Sequence, residues 1–241
     1  MKSTVQPIVK KELKTYFNSP IAYIVFVVFL TAASVWFFLF NGFFAGNYAS
    51  LRGYFSSFPF LFIIVIPAMT MRLWAEERKM KSDEILLTLP FTETQLVLGK
   101  FFGAFVLFLI MIALTLAVPF LTAFTGSFEP GEMIGQYLGT ALFGALCIAV
   151  GMFFSSLCSN QISAFLVSVL ALAFLVLSGY FPMMVEMPNA LARIINTLFA
   201  THHFDSFKKG LFDSRDFIYF VGMTVLFLYL NIRILILKKW K

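Results

Sequence analysis

Five long stretches of the chain carry no Asp, Glu, Lys or Arg, and the longest, Met133–Val185, runs for 53 residues. A soluble domain does not bury uncharged stretches of this length, whereas the hydrocarbon core of a membrane requires them. Apolar residues (AVILMFWYC) make up 60% of the 241 residues, against about 45–50% in an average protein. Charged residues are 12%, against about 25%. These proportions exclude a cytosolic enzyme, a secreted disulfide scaffold and a disordered tail.

The length of a membrane crossing, about 20 residues for a helix, determines how these stretches divide. Met133–Val185 is too long for one crossing, and the polar run 155–161 predicts a tight turn within it. Arg233 and Lys238 can snorkel to the headgroups, which lengthens the last helix. We therefore predict an all-α membrane protein, one transmembrane domain over residues 1–241. Its six membrane helices are expected at about 20–41, 55–75, 95–124, 133–155, 161–181 and 216–237.

Basic residues are unevenly divided between the two sides of such a bundle. Six crossings put both termini on one side, and that side carries thirteen Lys and Arg residues against five. The positive-inside rule therefore predicts cytoplasmic termini. The apolar run after the basic N terminus is too long for a cleaved signal peptide. The net charge of +6 is explained by lipid headgroups of the bilayer rather than by nucleic acid.

Two segments outside the six helices have helical periodicity. Residues 5–17 predict a basic interfacial helix, because apolar and basic side chains fall on different faces. Ser19 and Pro20 predict the cap and first position of the next helix. A short external helix is predicted before helix 6, with an ordinary loop as the alternative. The apolar face of the first segment is Val5, Val9, Leu13, Tyr16 and Phe17, its basic face is Lys10, Lys11 and Lys14, and the external helix contains Leu191, Ile194, Ile195 and Leu198.

The membrane helices offer little reactive chemistry. Residues 101–128 and 133–185 contain no Asp, Glu or His, which argues against an ion-coupled carrier and a channel with an acidic filter. Gly99-Lys100 lacks the earlier glycine and the following Ser or Thr of a phosphate-binding loop. We therefore expect no catalytic residue, cofactor or metal site in this chain, and energy supplied by another chain.

Two sequences suggest an enzyme only superficially. Glu76-Glu77 resembles the glutamate pair of an intramembrane metalloprotease, but position 81 is Lys where that family has Arg, and the pair ends a helix. His202 and His203 are adjacent, so they do not converge on one metal, and are interpreted as loop histidines near the outer headgroups. An intramembrane hydrolase is therefore the least favoured class. The two cysteines, Cys147 and Cys158, lie in apolar stretches and do not form a disulfide framework.

Glycines recur every four residues at two places, which lets helix backbones approach closely in lipid. Packing within one subunit and packing across a dimer explain this spacing equally well. The glycines are Gly99 and Gly103 in helix 3, and Gly131, Gly135 and Gly139 at the start of helix 4.

The segment 72–100 carries ten of the thirty charges of the chain. Ser82 can cap a short helix at about 83–89, and Pro90 ends it. Thr92 and Gln95 form a capping box for the helix that follows. A short amphipathic helix between two membrane helices suits docking on a soluble partner; a linker folded back on its own bundle is the alternative. The docking face would be Ile85, Leu86, Leu87 and Leu89, after Asp83 and Glu84 in the first turn.

Several segments together resemble the permease subunit of type-2 ABC exporters, the ABC-2 membrane family. The resemblance is closest to the branch of gliding-motility and nitrous-oxide-reductase-maturation permeases. It covers nearly the whole chain and is most specific after helix 2. The segments are 11–20, 76–78 with 86–90 and 98–101, 155–157 with 160–161, and 203–211.

This resemblance implies a permease rather than an enzyme, located in the bacterial cytoplasmic (inner) membrane. It would work as a homo- or heterodimer with a soluble ATP-binding-cassette ATPase that binds ATP and Mg, and an accessory membrane or periplasmic subunit is compatible with the branch. The uncharged helices favour export of an amphipathic or lipid-linked substrate; the alternative is a non-transporting membrane anchor or assembly subunit driven by the same ATPase. The residues implied in ATPase contact are Glu76, Glu77, Arg78, Ser82, Asp83, Glu84, Ile85, Leu86, Leu87, Leu89 and Pro90.

Overall fold

The computed structural model describes residues 5–40, 51–80, 91–122, 129–180, 197 and 199–239. Within these ranges every regular element is a helix. We number the α-helices in chain order: α1 Val5–Phe17, α2 Pro20–Val35, α3 Arg52–Ser56, α4 Phe58–Thr70, α5 Arg72–Lys79, α6 Glu93–Leu114, α7 Ala117–Thr122, α8 Pro130–Leu157, α9 Gln161–Leu177, α10 Ala200–Lys208 and α11 Ser214–Lys239. A π-helical turn, Trp36–Phe40, continues α2, and a 3₁₀ turn, Ser178–Tyr180, follows α9.

Six helical stretches are long and apolar enough to cross a membrane, which confirms the predicted number. The second stretch runs further than predicted, to Lys79, because α5 continues α4 after an interruption at Met71. The third comprises α6 and α7 with a turn at Thr115 and Leu116 between them. The six stretches are Pro20–Phe40, Phe58–Lys79, Glu93–Thr122, Pro130–Leu157, Gln161–Tyr180 and Ser214–Leu237.

Helix α8 lies at the centre of the bundle, where it packs against α4, α6, α9, α10 and α11. Phenylalanine rings fill the space around it: Phe62 of α4 contacts Phe108 of α6 and Phe143 of α8. Helices α2 and α9 pack against this core with one face and expose large apolar side chains on the other. In a membrane these faces contact lipid, so their exposure carries no hydrophobic cost.

Side-chain caps mark the starts of three membrane helices. The Ser19 hydroxyl accepts from the Ile21 backbone N–H before α2. Thr92 and Gln95 form both hydrogen bonds of the capping box that starts α6. Asn160 caps α9 through the Ser163 N–H, which places the turn between α8 and α9 in the polar run. Local hydrogen bonding thus sets where these helices begin.

Glycines allow close helix contacts within this one chain. A Cβ on Gly99 would lie 2.5 Å from Ile8, and one on Gly103 would lie 2.7 Å from Glu12. Residues four apart on α1 therefore meet residues four apart on α6, so the two helices run side by side in the same direction. Gly135 and Gly139 similarly face Gly210 and Phe207, whereas a Cβ on Gly131 would meet nothing within 4 Å.

Candidate functional site

Four parts of the chain meet at one end of the bundle, which we call the junction end: α1, α5, the first turns of α6, and the turn between α8 and α9. Helices α5 and α6 flank residues 81–90. The predicted contact residues 82–90 lie outside the described residues, as does most of the predicted external helix. Glu76, Glu77 and Arg78 are described, and all three lie on α5 at the junction end.

A buried lysine links three of these parts. The Nζ of Lys100 in α6 lies 3.0 Å from an oxygen of Glu12 in α1 and 2.8 Å from an oxygen of Glu77 in α5. It also donates to the Leu73 backbone oxygen at 2.8 Å. The three donors of the ammonium therefore each have an acceptor.

We call Lys100 and its two carboxylate partners, Glu12 and Glu77, the lysine cluster. This cluster is shielded from solvent. The Lys100 side chain is 2% exposed, and Glu12 and Glu77 are 10% and 14% exposed. The Lys100 ammonium also lies 4.9 Å from the centre of the Trp74 ring, within the range of a cation–π interaction. Lys11 approaches Glu77 at 3.8 Å from the solvent side, with 59% of its side chain exposed. Buried charges persist only when they are paired in this way.

Tyr16 and Arg72 fix α1 and α2 to the second membrane helix. The Tyr16 hydroxyl donates to the Met69 backbone oxygen at 2.8 Å. Burial, reinforced by the carboxylate of Glu12, raises the pKa of Tyr16 well above its usual range, so this hydroxyl keeps its proton. The Arg72 guanidinium binds Glu76 at 2.9 Å and donates to the Ser19 hydroxyl.

The turn between α8 and α9 completes the junction end. The Ser155 hydroxyl of α8 donates to the Met71 backbone oxygen at 3.0 Å. Arg78 Nη1 donates to the Cys158 backbone oxygen at 3.0 Å. Hence both the start and the end of α5 are bonded to this part of the chain.

Helix α1 has the predicted bounds, but its most buried face is different from the predicted one. Its buried residues are Ile8, Glu12 and Tyr16, and Phe17 is exposed. The difference arises because α1 packs against the glycines of α6, and a carboxylate on that face meets Lys100. Lys10, Lys11 and Lys14 are exposed as predicted. Whether α1 lies at the membrane surface stays a prediction.

Sequence reasoning missed the lysine cluster, because it assigned no role to Glu12 and counted Lys100 only among the basic residues on the cytoplasmic side. A signal was present. Lys100 shares a helical face with the buried residues Val97 and Ala104, and an ionisable residue on such a face needs a partner. An open cavity of about 180 Å³ lies beside the cluster. Its charged lining residues are Lys11, Glu12, Arg72, Glu76, Glu77 and Lys100, so positive and negative groups are equal in number.

The opposite end of the bundle holds a second polar region. Arg52 binds Glu132 at 2.8 Å. His203 Nδ1 lies 2.6 Å from an oxygen of Asp216, and both residues are buried. The interpretation of His202 and His203 as loop residues was wrong, because both lie in α10, which packs against α8. Within the described ranges, His, Cys, Asp and Glu form no group of three that could hold a metal.

The fold is that of a multi-pass membrane protein, with its charged helix junction gathered at one end. A family model for ABC-2 family transporter proteins matches residues 41–235, more than half of the chain. The chain therefore belongs to the ABC-2 transporter family, and it is the permease component of an ABC transporter rather than an enzyme. Permeases of this family generally work with an ATP-binding-cassette ATPase. A sequence comparison with curated proteins gives no match.

Proposed function

We propose that this permease couples ATP binding and hydrolysis in a separate ATPase subunit to export across the cytoplasmic membrane. The observation that carries the proposal is the lysine cluster. Glu77 lies near the end of α5 and Lys100 near the start of α6, so the helices on both sides of residues 81–90 are bonded to each other and to α1. A force applied between α5 and α6 would therefore reach three helices together.

The contact with the ATPase is assigned to residues 83–90, and Glu76, Glu77 and Arg78 close the cytoplasmic end of the second membrane helix. The basic residues of the junction end support a cytoplasmic position for it, because positive residues concentrate on that side. Two six-helix permease subunits, identical or different, would form the transporter together with two ATPase subunits. The nearly uncharged membrane helices favour an amphipathic or lipid-linked substrate.

Purification in mild detergent from the native membrane tests this function. We expect an ATP-binding subunit to co-purify in a fixed ratio, with measurable ATP turnover. Replacing both Leu86 and Leu87 with Asp should abolish the coupling of turnover to the permease. The matched control is Leu211→Asp with Phe212→Asp, since both side chains are exposed at the opposite end.

The outcomes separate the alternatives. Normal turnover in the Leu86/Leu87 variant would contradict the assigned contact. Recovery of the chain alone, without ATPase activity, would contradict the coupling function. A complex that hydrolyses ATP in sealed vesicles but moves none of a panel of amphipathic and lipid-linked solutes would favour the non-transporting anchor.

A further inference from the structure

The second membrane helix is interrupted at Met71, where α4 ends and α5 begins. Side chains from three other helices bond to its backbone at this interruption. The acceptors are three backbone carbonyl groups, two residues apart along the chain. Tyr16 of α1 donates to Met69 at 2.8 Å, Ser155 of α8 to Met71 at 3.0 Å, and Lys100 of α6 to Leu73 at 2.8 Å.

Ser155 enters the interruption most deeply. Besides donating to Met71, its hydroxyl oxygen faces the backbone N–H groups of Trp74 at 3.3 Å and Ala75 at 3.4 Å. The oxygen thus bonds to the carbonyl group at the interruption and to two N–H groups in the first turn of α5. A side chain inserted in this way is one of the few recognised causes of a helix bend. In a membrane the hydroxyl also supplies hydrogen bonds to the backbone N–H and C=O groups that have lost their partners within the helix.

The packing around Ser155 permits this insertion. Gly151 lies one turn earlier on α8, and a Cβ there would lie 2.3 Å from the Thr70 hydroxyl. The absence of a side chain brings α8 close enough for Ser155, which is fully buried, to reach the backbone of α5. The carbonyl group of Met71 and the first turn of α5 are therefore both within reach of a single hydroxyl.

We infer that Met71 is a joint at which α5 changes its angle to α4, and that Ser155 is the positioning residue that holds the resting angle. A sharp bend in a helix requires some of its own backbone hydrogen bonds to be replaced. The Met71 N–H keeps its helical bond to the Pro67 oxygen. The Met71 oxygen and the N–H groups of Trp74 and Ala75 instead bond to the Ser155 side chain, and such bonds can be exchanged with little loss. This inference rests on the proposed function, because the force that turns α5 would come from the ATPase.

Pulsed electron paramagnetic resonance can measure the angle of α5. One pair of spin labels, at Met80→Cys and Leu157→Cys, spans the joint, and both side chains are exposed. The reference pair, Ile64→Cys and Ile162→Cys, joins α4 to α9 on one side of the joint. The background carries Cys158→Ser, which leaves the backbone acceptor of Arg78 in place. The complex with its ATPase is measured without nucleotide and with a non-hydrolysable ATP analogue.

We expect the nucleotide to shift the mean 80–157 distance by at least about 2 Å, the scale of helix movements in switching proteins, and to leave the reference distance unchanged. Ser155→Ala should broaden the 80–157 distribution without nucleotide, and Ser155→Thr, which keeps the hydroxyl, should restore its width. The control Thr140→Val should not broaden it, since that buried hydroxyl bonds to its own helix, at Gln136. Unchanged 80–157 distances in a complex that hydrolyses ATP would overturn the joint.

The positioning role can be tested separately from the proposed function. The width of the 80–157 distribution is also measured in the permease alone. A Ser155→Ala variant as narrow as the unmodified chain would overturn the role of Ser155, whatever the ATPase result. Failure to find an ATPase would contradict the proposed function, yet a broadened Ser155→Ala distribution would still support Ser155 as the residue that holds α5.

Discussion

Lys100 and Glu12 are 88 positions apart in the chain, yet the ammonium of one lies 3.0 Å from the carboxylate of the other. The pair is buried at the junction end, where Glu77 provides a second carboxylate for the same ammonium. One cation thus compensates two anions from two other helices, and Lys11 adds a partly exposed positive charge nearby. The stability of this end of the bundle should depend strongly on Lys100 and weakly on Lys11.

Replacing Lys100 with Met should lower the free energy of unfolding by about 3–5 kcal/mol, because two carboxylates would remain buried without their cation. Lys11→Met, the matched control, should cost less than about 1 kcal/mol, as expected for an exposed ion pair. Denaturant titration of the purified permease in detergent measures both. Equal effects of the two substitutions would contradict the central role of Lys100.

Adding a methyl group at Gly103 should also destabilise the chain. A Cβ there would lie 2.7 Å from the Cβ of Glu12, so Gly103→Ala should force α1 away from α6 at a cost of about 1–3 kcal/mol. Gly222→Ala is the control, since nothing lies within 4 Å of that position. The same titration, together with proteolysis of α1, should distinguish the two variants.

The raised pKa of Tyr16 predicts a dependence on alkaline pH. Above about pH 10 the unfolded chain ionises this tyrosine while the folded chain keeps it protonated. The folded state then binds more protons, so its stability falls as the pH rises. Tyr16→Phe should remove this part of the decline and cost about 1 kcal/mol at neutral pH. Tyr23→Phe, at an exposed position, should leave the decline from pH 9 to 11 intact.

At the opposite end of the bundle, the buried pair His203 and Asp216 should contribute more to the free energy of unfolding than the exposed Arg52 does. Asp216→Ala removes the hydrogen-bond partner of a buried imidazole, which should cost about 1–3 kcal/mol. Arg52→Gln should cost at most about 1 kcal/mol, because that side chain is 57% exposed. Unfolding curves of the two variants measure both losses of free energy. A larger loss for Arg52→Gln than for Asp216→Ala would contradict this prediction.

The predicted orientation can be tested with introduced cysteines in a Cys158→Ser background, in which the remaining Cys147 is buried. Met80→Cys should react with a membrane-impermeant maleimide only from the cytoplasmic side, and Leu211→Cys only from the outside. Both positions are exposed. Labelling in intact spheroplasts and in inverted vesicles measures each side separately. Labelling of Met80→Cys in intact spheroplasts would reverse the assigned topology.

Sequence reasoning predicted those features that depend on neighbouring residues. The six membrane helices follow from uncharged runs, the caps at Ser19 and Thr92 follow from local hydrogen bonding, and the turn over 155–161 follows from its polar residues. The lysine cluster depends on distant residues, and no local pattern shows that Glu12 will meet Lys100. Pro67 lacks a backbone N–H, but the hydrogen bond that this removes lies one turn before Met71, so it does not predict the interruption there. That Ser155 would enter it depends on how α8 packs.

The separation of Glu12 from Lys100 also sets an order of assembly during synthesis. The ribosome reaches Lys100 88 residues after Glu12, which at about 5–20 residues per second takes about 4–18 seconds. During that interval the first helices are already being inserted, while the acidic face of α1 has no lysine to meet. Final docking of α1 must therefore wait for α6. Helix α1, although made before α6, reaches its final place at the junction end only after α6 has been made.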